Sequence, residues 1–373
     1  MYGSLSLYVH IPFCQSKCYY CSFNSYAGMD WLIPDYVRAL VREIRCRGRG
    51  EEVGTVYFGG GTPSLLNGVQ VGEVLAACAS AFSMSSDAEI SVEANPGTIS
   101  SQYLAQLREL GVNRLSLGVQ SFDDGALAVL GRGHSAAEAV ESYSVARGLF
   151  ENVNIDLLYA VPGQTLRQWR QALKKALSLR SDHLSLYSLS VEPGTPLHRS
   201  VAMGAVAIAD VDLAADMYLL AEETLTRYEH YEISNWALPG KRCRHNMTYW
   251  MNQPYLGFGA GAHSHREHRR FRNVASPGQY VEMVSDTASA VEEVEDIDEA
   301  LEMGETMMLG LRLAEGVSKR GFADRFGRDI ASVYGEHIEE LAGVGLVSDD
   351  GAWVRLTDKG RLLGNQVFLR FLP

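Results

Sequence analysis

A chain of 373 residues exceeds what a single hydrophobic core usually organises, so one large domain with one or two smaller ones is expected. Hydrophobic residues at 46% and charged residues at 21% are ordinary for a folded protein and exclude a disordered, collagenous or disulfide-scaffold chain. The net charge of −12 disfavours broad attraction to nucleic acid or to an anionic membrane; no apolar run of about 18 residues occurs, no basic n-region precedes Val9, and a cytoplasmic protein is expected.

Short runs rich in β-branched or aromatic residues read as strands: Leu5 to His10, Thr55 to Phe58, Glu89 to Glu93, Arg114 to Val119, Asn152 to Tyr159 and His183 to Leu189. Helix-period segments separate them, at Tyr36 to Ile44, Val69 to Phe82, Tyr103 to Leu110, Ala136 to Phe150 and Trp169 to Leu179. Strand and helix alternating so regularly implies parallel strands joined by right-handed crossovers, hence an α/β barrel or a doubly wound sheet. In both, chemistry collects beyond the C-terminal strand ends. Those ends carry Cys14, then Gly59 to Pro63, Glu93 to Pro96, Gln120 to Asp123, Asp156 with Pro162-Gly163, and Glu192 to Gly194, which together suggest one shared site.

A helix from Asp210 to Tyr228 and an extended run from Tyr231 to Trp236 follow. Pro239 to about Gln279 is rich in Gly, His, Asn and aromatics and reads as irregular structure around a site or interface. Glu292 to Glu302 holds seven carboxylates and no base, and is expected to form the solvated entry to a helix at a boundary. Helices at Glu302 to Leu313 and Gly335 to Ala342 then lead to a hairpin, Gly345 to Leu356, and a last helix capped at Thr357-Asp358. This order suggests a small winged-helix domain. With eight Lys/Arg against eight Asp/Glu from Ser318 to Pro373, it lacks a DNA-binding footprint and reads as a packing or interaction module.

Of six cysteines, Cys46 and Cys78 fall in helical patterns and are expected to be buried. Cys14, Cys18 and Cys21 are spaced to converge on one metal centre. A structural zinc site needs four ligands, usually as two separated pairs, and the nearest candidate fourth, His10, lies in the strand. Three thiolates better suit a four-iron cluster, with one iron left for a non-protein ligand.

Tyr8 to Cys14 with the CxxxCxxC spacing, followed by the Gly59 to Pro63 run, resembles the radical S-adenosylmethionine superfamily. The resemblance implies a partial (β/α)6 barrel followed by the winged-helix-like domain, and a [4Fe-4S] cluster on the three cysteines whose open iron chelates S-adenosyl-L-methionine. Residue by residue, it puts Tyr8 beside the cluster and Gly60, Gly61 and Thr62 at the amino group. Glu93 and Gln120 would meet the ribose or methionine part, Arg132 the carboxylate, and Asp156 the ribose. The implied domains are 1–236 (barrel), 237–295 (irregular extension) and 296–373 (winged helix).

Within the superfamily the chain resembles the group of oxygen-independent coproporphyrinogen III oxidase and the HemW-type heme chaperones, through Gly118 to Phe122, Asn154 to Leu158, Pro162 to Thr165 and Glu192 to Pro196. The oxidase continues its cysteine loop with a further Cys where this chain has Phe23, and carries an N-terminal extension. Cys243 to Trp250 is similar to the HNxxYW signature of the chaperones. His245 is then a candidate heme ligand and Cys243 an alternative, with Tyr249 and Trp250 placed to stack on a porphyrin and Arg244 to pair with a propionate. A His-Asn pair satisfying loop backbone is the other reading. His263, His265 and His268, interleaved with arginines, are expected to be solvated loop residues. The resemblance implies a chaperone binding heme and delivering it to a respiratory membrane protein, with a bacterioferritin-like donor, a cluster-dependent homodimer and no nucleic acid. The alternative is radical decarboxylation of coproporphyrinogen III.

Overall fold

The structure, a computed structural model, describes residues 4–373. The strands β1 (Leu5–Ile11), β2 (Glu52–Gly60), β3 (Ser83–Ala94), β4 (Arg114–Gln120), β5 (Val153–Tyr159) and β6 (His183–Ser188) pair in parallel in chain order. Between them run α1 (Ile33–Arg47), α2 (Gly68–Ala81), α3 (Ser101–Glu109), α4 (Asp124–Leu130) with α5 (Ala136–Leu149), and α6 (Leu166–Leu179). Sequence sets the helix starts: Asn67, Ser135 and Thr165 cap α2, α5 and α6, each with a Gln or Glu three residues on reaching back. Each helix lays an apolar stripe on the sheet, such as Val37, Leu40 and Ile44 of α1 or Trp169 and Leu173 of α6. At about 1.5–3 kcal/mol per large side chain, these stripes supply the main drive for folding.

Parallel strands covered by helices usually read as apolar on both faces. Here one face only is apolar. Leu115, Leu117 and Val119 of β4 and Val153, Ile155 and Leu157 of β5 join the core beneath the helices. The alternate residues, Arg114, Ser116, Gly118 and Gln120 of β4 and Asn154 and Asp156 of β5, line an interior cavity. That alternation makes the curved sheet a barrel with a polar lumen.

The sheet does not close. After β6 come α7 (Pro196–Ala202) and α8 (Val211–Thr224), and then the extended run expected from Tyr231 to Trp236 splits into an antiparallel hairpin, β7 (Glu229–Glu232) and β8 (Asn235–Ala237), at one edge. At the other edge the segment expected to be irregular is ordered. It forms α9 (Arg244–Trp250), β9 (Tyr255–Phe258) parallel to β1, β10 (His263–Arg266) and β11 (Arg269–Asn273), then α10 (Pro277–Thr287) and β12 (Val291–Asp296). Its strands, of four to six residues, are too short to show a period. A buried carboxylate organises them instead: Glu43 of α1 accepts from Gly259 N at 3.0 Å, Asn273 Nδ2 at 2.8 Å, Tyr280 OH at 2.7 Å and Arg47 Nη1 at 2.9 Å. Four donors offset the cost of burying that charge.

The acidic stretch is likewise mostly strand. In β12, Glu293, Glu295 and Asp296 stand opposite Arg272, Arg270 and Arg269 of β11, with ion pairs at 3.0, 3.2 and 2.8 Å. Exposed pairs contribute little stability, but opposite charges facing across a ladder favour this register and charge on an edge strand discourages further pairing. Only its end, from Asp298, which caps α11 (Glu299–Gly310), enters a helix.

The C-terminal region builds a second core from Met307, Leu311, Phe322, Ile330, Ile338, Val354 and Val367. Here α12 (Lys319–Phe326) and α13 (Ile330–Gly343) lead into a wing in which β15 (Trp353–Leu356) lies between β13 (Val317–Ser318) and β14 (Val347–Asp349). Thr357 caps the next helix through Gly360 N, as its position predicts. Cys78 is buried as expected, whereas Cys46, near the exposed end of α1, is not.

Candidate functional site

The lumen opens at the C-terminal strand ends into a cavity of about 380 Å³ lined by Cys14, Cys18, Cys21, Gly60, Gly61, Thr62, Glu93, Gln120, Arg132 and Asp156. Ten of the eleven residues assigned by sequence to the cluster or its cofactor therefore meet in one place. Tyr8 stands behind them, its hydroxyl 3.0 Å from His10 Nδ1 and its ring stacked on Tyr57, which does line the cavity.

The cysteine loop leaves β1 through Pro12 and is pinned at several points. Tyr26 N donates to Pro12 O, Tyr19 N to Leu130 O, and Leu197 N to Tyr19 O. Lys17 Nζ closes it by donating to Phe23 O at 3.3 Å and Ser25 O at 3.1 Å. A polar circuit joins two of the thiols: Thr62 Oγ1 donates to Cys14 Sγ at 3.7 Å, Asn95 Nδ2 to Thr62 Oγ1 at 3.0 Å, Arg132 Nη2 to Asn95 Oδ1 at 2.6 Å, and Arg132 Nη1 to Cys18 Sγ at 3.2 Å. Burial pushes the Cys14 thiol up, so the thiolate a metal centre needs is favoured by bound metal and these donors, not by water. No three His, Cys, Asp or Glu among the described residues converge as a single-ion site. A cluster taking one thiolate per iron does not require its sulfurs to meet at a point.

The glycines meet steric limits. Gly60 has φ +118°, and a Cβ there would lie 2.7 Å from the His10 ring; a Cβ on Gly61 would lie 2.6 Å from Phe13 O and 2.9 Å from Cys14 Sγ. Backbone alone fits between β2 and the loop. Gln120, at φ +64°, holds a left-handed conformation that is uncommon without glycine.

Two carboxyls face the cavity. Glu93 accepts from Tyr57 OH at 2.7 Å and Gly60 N at 3.3 Å, and burial, with Asp156 nearby, pushes it up to about 7. Asp156 accepts from Ser116 Oγ at 3.1 Å and Asn154 Nδ2 at 2.7 Å and is also raised by burial. A ligand with positive charge and hydroxyls would relieve both. Arg132 Nε and Arg114 Nε are buried without partners, leaving donors for an acidic group. This donor set fits an amino-acid and ribose-bearing cation such as S-adenosyl-L-methionine, and the three cysteines fit a four-iron cluster.

Sequence reasoning missed Arg114, Ser116 and Asn154 as cavity residues. The signal was present: polar residues at every second position of strands that also pack on helices.

The HNxxYW segment lies at the opposite, N-terminal end of the barrel and closes it. Glu89 accepts from Arg244 N at 3.1 Å and His245 N at 3.2 Å, and Cys243 Sγ lies 3.6 Å from it. His245 is 1% exposed, with Nδ1 2.7 Å from Thr55 Oγ1 and Nε2 2.9 Å from Tyr249 OH, and its ring stacks on Tyr57. Burial pushes His245 down to about 3 and the Cys243 thiol up to about 12. Both expected heme ligands are thus engaged inside the fold. Trp250 lies under the Arg312 guanidinium, 4.7 Å from its ring centre, and Arg244 pairs with Asp87 at 3.2 Å. Asn246 alone of this motif lines the cavity, at its floor.

His263 and His265 are on β10, not in a loop, and His265 is buried; His268 sits in the hairpin turn, 2.6 Å from Glu302.

Residues 8–176 match the Radical SAM superfamily family model, and 297–363 match the HemN C-terminal domain. The chain is 37% identical to the heme chaperone HemW of Bacillus subtilis (strain 168), over 98% of this chain and 99% of that one. It is 34% identical to the heme chaperone HemW of Escherichia coli (strain K12), over 99% and 98%. Among solved structures, coproporphyrinogen III oxidase (HemN) from Escherichia coli, described as a radical SAM enzyme, superimposes with a TM-score of 0.86 at 26% identity, covering 99% of this chain and 90% of that one.

Proposed function

The chain belongs to the HemW family of heme chaperones within the radical SAM superfamily, and from that premise we propose that it binds heme and passes it to a respiratory membrane protein, while holding a [4Fe-4S] cluster and S-adenosyl-L-methionine in its barrel. The single observation that carries the reading is identity to the chaperones along nearly the whole chain, from the cysteine loop through the C-terminal domain.

A reduced cluster supplies one-electron chemistry toward the sulfonium of its ligand. The chain's own residues hold and tune. Cys14, Cys18 and Cys21 give one thiolate each, with Thr62 and Arg132 donating to sulfur. Gly60 and Gly61 let backbone approach the amino group, Glu93 and Asp156 accept from ribose hydroxyls and balance positive charge, Gln120 adds an amide, and Arg132 Nε is free to meet the carboxylate. Tyr8 acts one step back, by orienting His10, whose Nε2 lies 2.8 Å from Asn24 O at the end of the loop.

No described helix is long and apolar enough to cross a membrane, so delivery to a membrane acceptor would be a peripheral encounter, with heme drawn from a bacterioferritin-like donor and cluster loading favouring a homodimer. The structural likeness to the oxidase supports a second reading, decarboxylation of coproporphyrinogen III. One anaerobically reconstituted sample tests both. Iron and sulfide near four per chain, saturable heme binding by absorbance, and no protoporphyrinogen from coproporphyrinogen with dithionite and S-adenosyl-L-methionine are expected. Porphyrinogen turnover without heme binding would overturn the chaperone reading.

A further inference from the structure

The closed HNxxYW segment leaves open where heme docks. A second recess, of about 360 Å³, is lined by Lys17, Phe23, Tyr26, His263 and Arg272 among others. It shares Lys17, Ser22, Phe23 and Ser25 with the cluster cavity, so the cysteine loop is a wall of both.

Its side chains differ in kind from those around His245. The His263 imidazole is exposed, stands near the charges of Arg272, Arg270 and Glu293, and makes no hydrogen bond to a described residue. His10, His183 and His245 have both ring nitrogens engaged, and His134, His230 and His268 each hold a partner; the imidazoles of His198, His265 and His337 are also without a hydrogen bond, but of these four His263 is the one that lines this recess. Arg272 stands directly opposite His263 across the β10–β11 ladder. Its Nη2 meets Glu292 and Glu293, while its Nε is buried without a partner. The Lys17 ammonium donates only to backbone carbonyls, Phe23 O and Ser25 O. Phe23 is 67% exposed, an apolar ring left in water at the lip.

An unengaged imidazole, an exposed aromatic face and two cations around one recess match the three chemical features of heme: a Lewis-acidic iron, an apolar macrocycle and two propionates. We propose that heme docks here, with His263 ligating iron, Phe23 against the macrocycle, and Arg272 and Lys17 taking the propionates. The inference rests on the chaperone reading and specifies its heme site. A porphyrin is larger than the recess, so one edge stays in solvent, as a carrier that must surrender its cargo requires.

The test titrates the full-length protein with hemin, with and without reconstituted cluster, reading absorbance and resonance Raman. Wild type is expected to show an iron–imidazole signature. His263→Gly should bind hemin at least tenfold more weakly and lose that signature, and added imidazole should restore it. Arg272→Gln should weaken hemin severalfold while leaving hemin dimethyl ester unchanged, since the ester has no carboxylates to pair. Both positions are at the surface, and unchanged circular dichroism checks folding. If wild type binds hemin and His263→Gly matches it in affinity and spectrum, this site is wrong while the chaperone reading stands. If wild type binds none, the reading itself fails and the site with it.

Discussion

His245 Nδ1 lies 2.7 Å from the Thr55 hydroxyl at the closed end of the barrel, and Thr55 in turn donates to Ser6 Oγ at 2.8 Å. Ser6 Oγ lies 2.8 Å from Thr248 Oγ1 in the same helix as His245. The motif therefore fastens α9 to β1 and β2. Replacing His245 by Ala strands the Tyr249 hydroxyl, leaves Thr55 with Ser6 alone, and opens a hole beside Tyr57. Lost hydrogen bonds plus a cavity should cost about 2–4 kcal/mol in urea unfolding, with hemin binding by the folded fraction within twofold of wild type. His245 is held near 3 by burial, well below its unfolded value, so the unfolded chain takes up the proton first as pH falls. Its stabilising contribution is present above about pH 6.5 and declines below it. His245→Gln should flatten the fall in stability between pH 6.5 and 4.

Glu93 carries the opposite sign. Burial raises it to about 7, and Asp156 adds to the shift. The folded state keeps a proton that the unfolded chain loses near pH 4.5, so this group favours folding below that pH and the benefit disappears as pH rises toward 7. A cationic ligand favours the ionised carboxylate. Affinity for S-adenosyl-L-methionine, measured by calorimetry, should thus increase as pH rises through about 7, with proton release on binding below it. Glu93→Gln should bind at least tenfold more weakly and lose the pH dependence. Arg114, whose charge lowers Glu93, shifts the same profile to higher pH when replaced by Met. A pH-independent affinity in wild type would remove Glu93 from the ligand site.

Much of this was legible before the structure because local signals agreed. The six strands, the helix-period segments between them, and the glycine and acidic residues at strand ends all pointed to one barrel mouth. The cysteine loop was readable from spacing alone. Three things were hidden. The edge strands from Tyr255 to Asn273 depend on Glu43, more than two hundred residues away, and no local window holds that partner. The acidic run is solvated as expected, but it read as a helix entry and not as a strand because its complementary arginines lie on β11, across a ladder. His245 looked like a ligand because residue type carries no information on burial. Of its two partners, Tyr249 is one turn on in α9, but Thr55 lies far back in the chain on β2, outside any local window.

At Gly61 the tolerance is set by backbone on the far side. A Cβ there meets Phe13 O at 2.6 Å and Cys14 Sγ at 2.9 Å, and neither is the end of a flexible side chain. Gly61→Ala should displace the cysteine loop and leave the remote cores untouched. Iron and sulfide after reconstitution are expected to drop below half of wild type, with a thermal midpoint within a few degrees. Full cluster loading in this variant would show that the loop does not need Gly61.

Arg325 of α12 ties the C-terminal core to the end of the motif helix. Its Nη2 donates to Asn252 O at 2.9 Å and to Glu302 Oε1 at 2.6 Å, and Nη1 donates to Met251 O at 3.3 Å. Glu302 is 4% exposed, so its charge depends on partners. Burial alone would raise its carboxyl, but hydrogen bonds from Arg325 and His268 outweigh this and hold it below the usual range. Its stabilising contribution is therefore present above the unfolded carboxylate value, near pH 4.5, and is lost as pH falls through the lower folded value. Arg325→Ala leaves a buried carboxylate with only His268 beside it and frees two carbonyls after α9. The expected cost is about 2–3 kcal/mol in urea unfolding, less than for a fully buried pair because Arg325 is 17% exposed. Adding Glu302→Gln should recover a large part of that loss, since the stranded charge and not the missing contact dominates it. A double-mutant cycle measures the coupling. Additive effects would mean that Arg325 acts through the Met251 and Asn252 carbonyls, and that Glu302 is held by His268 alone.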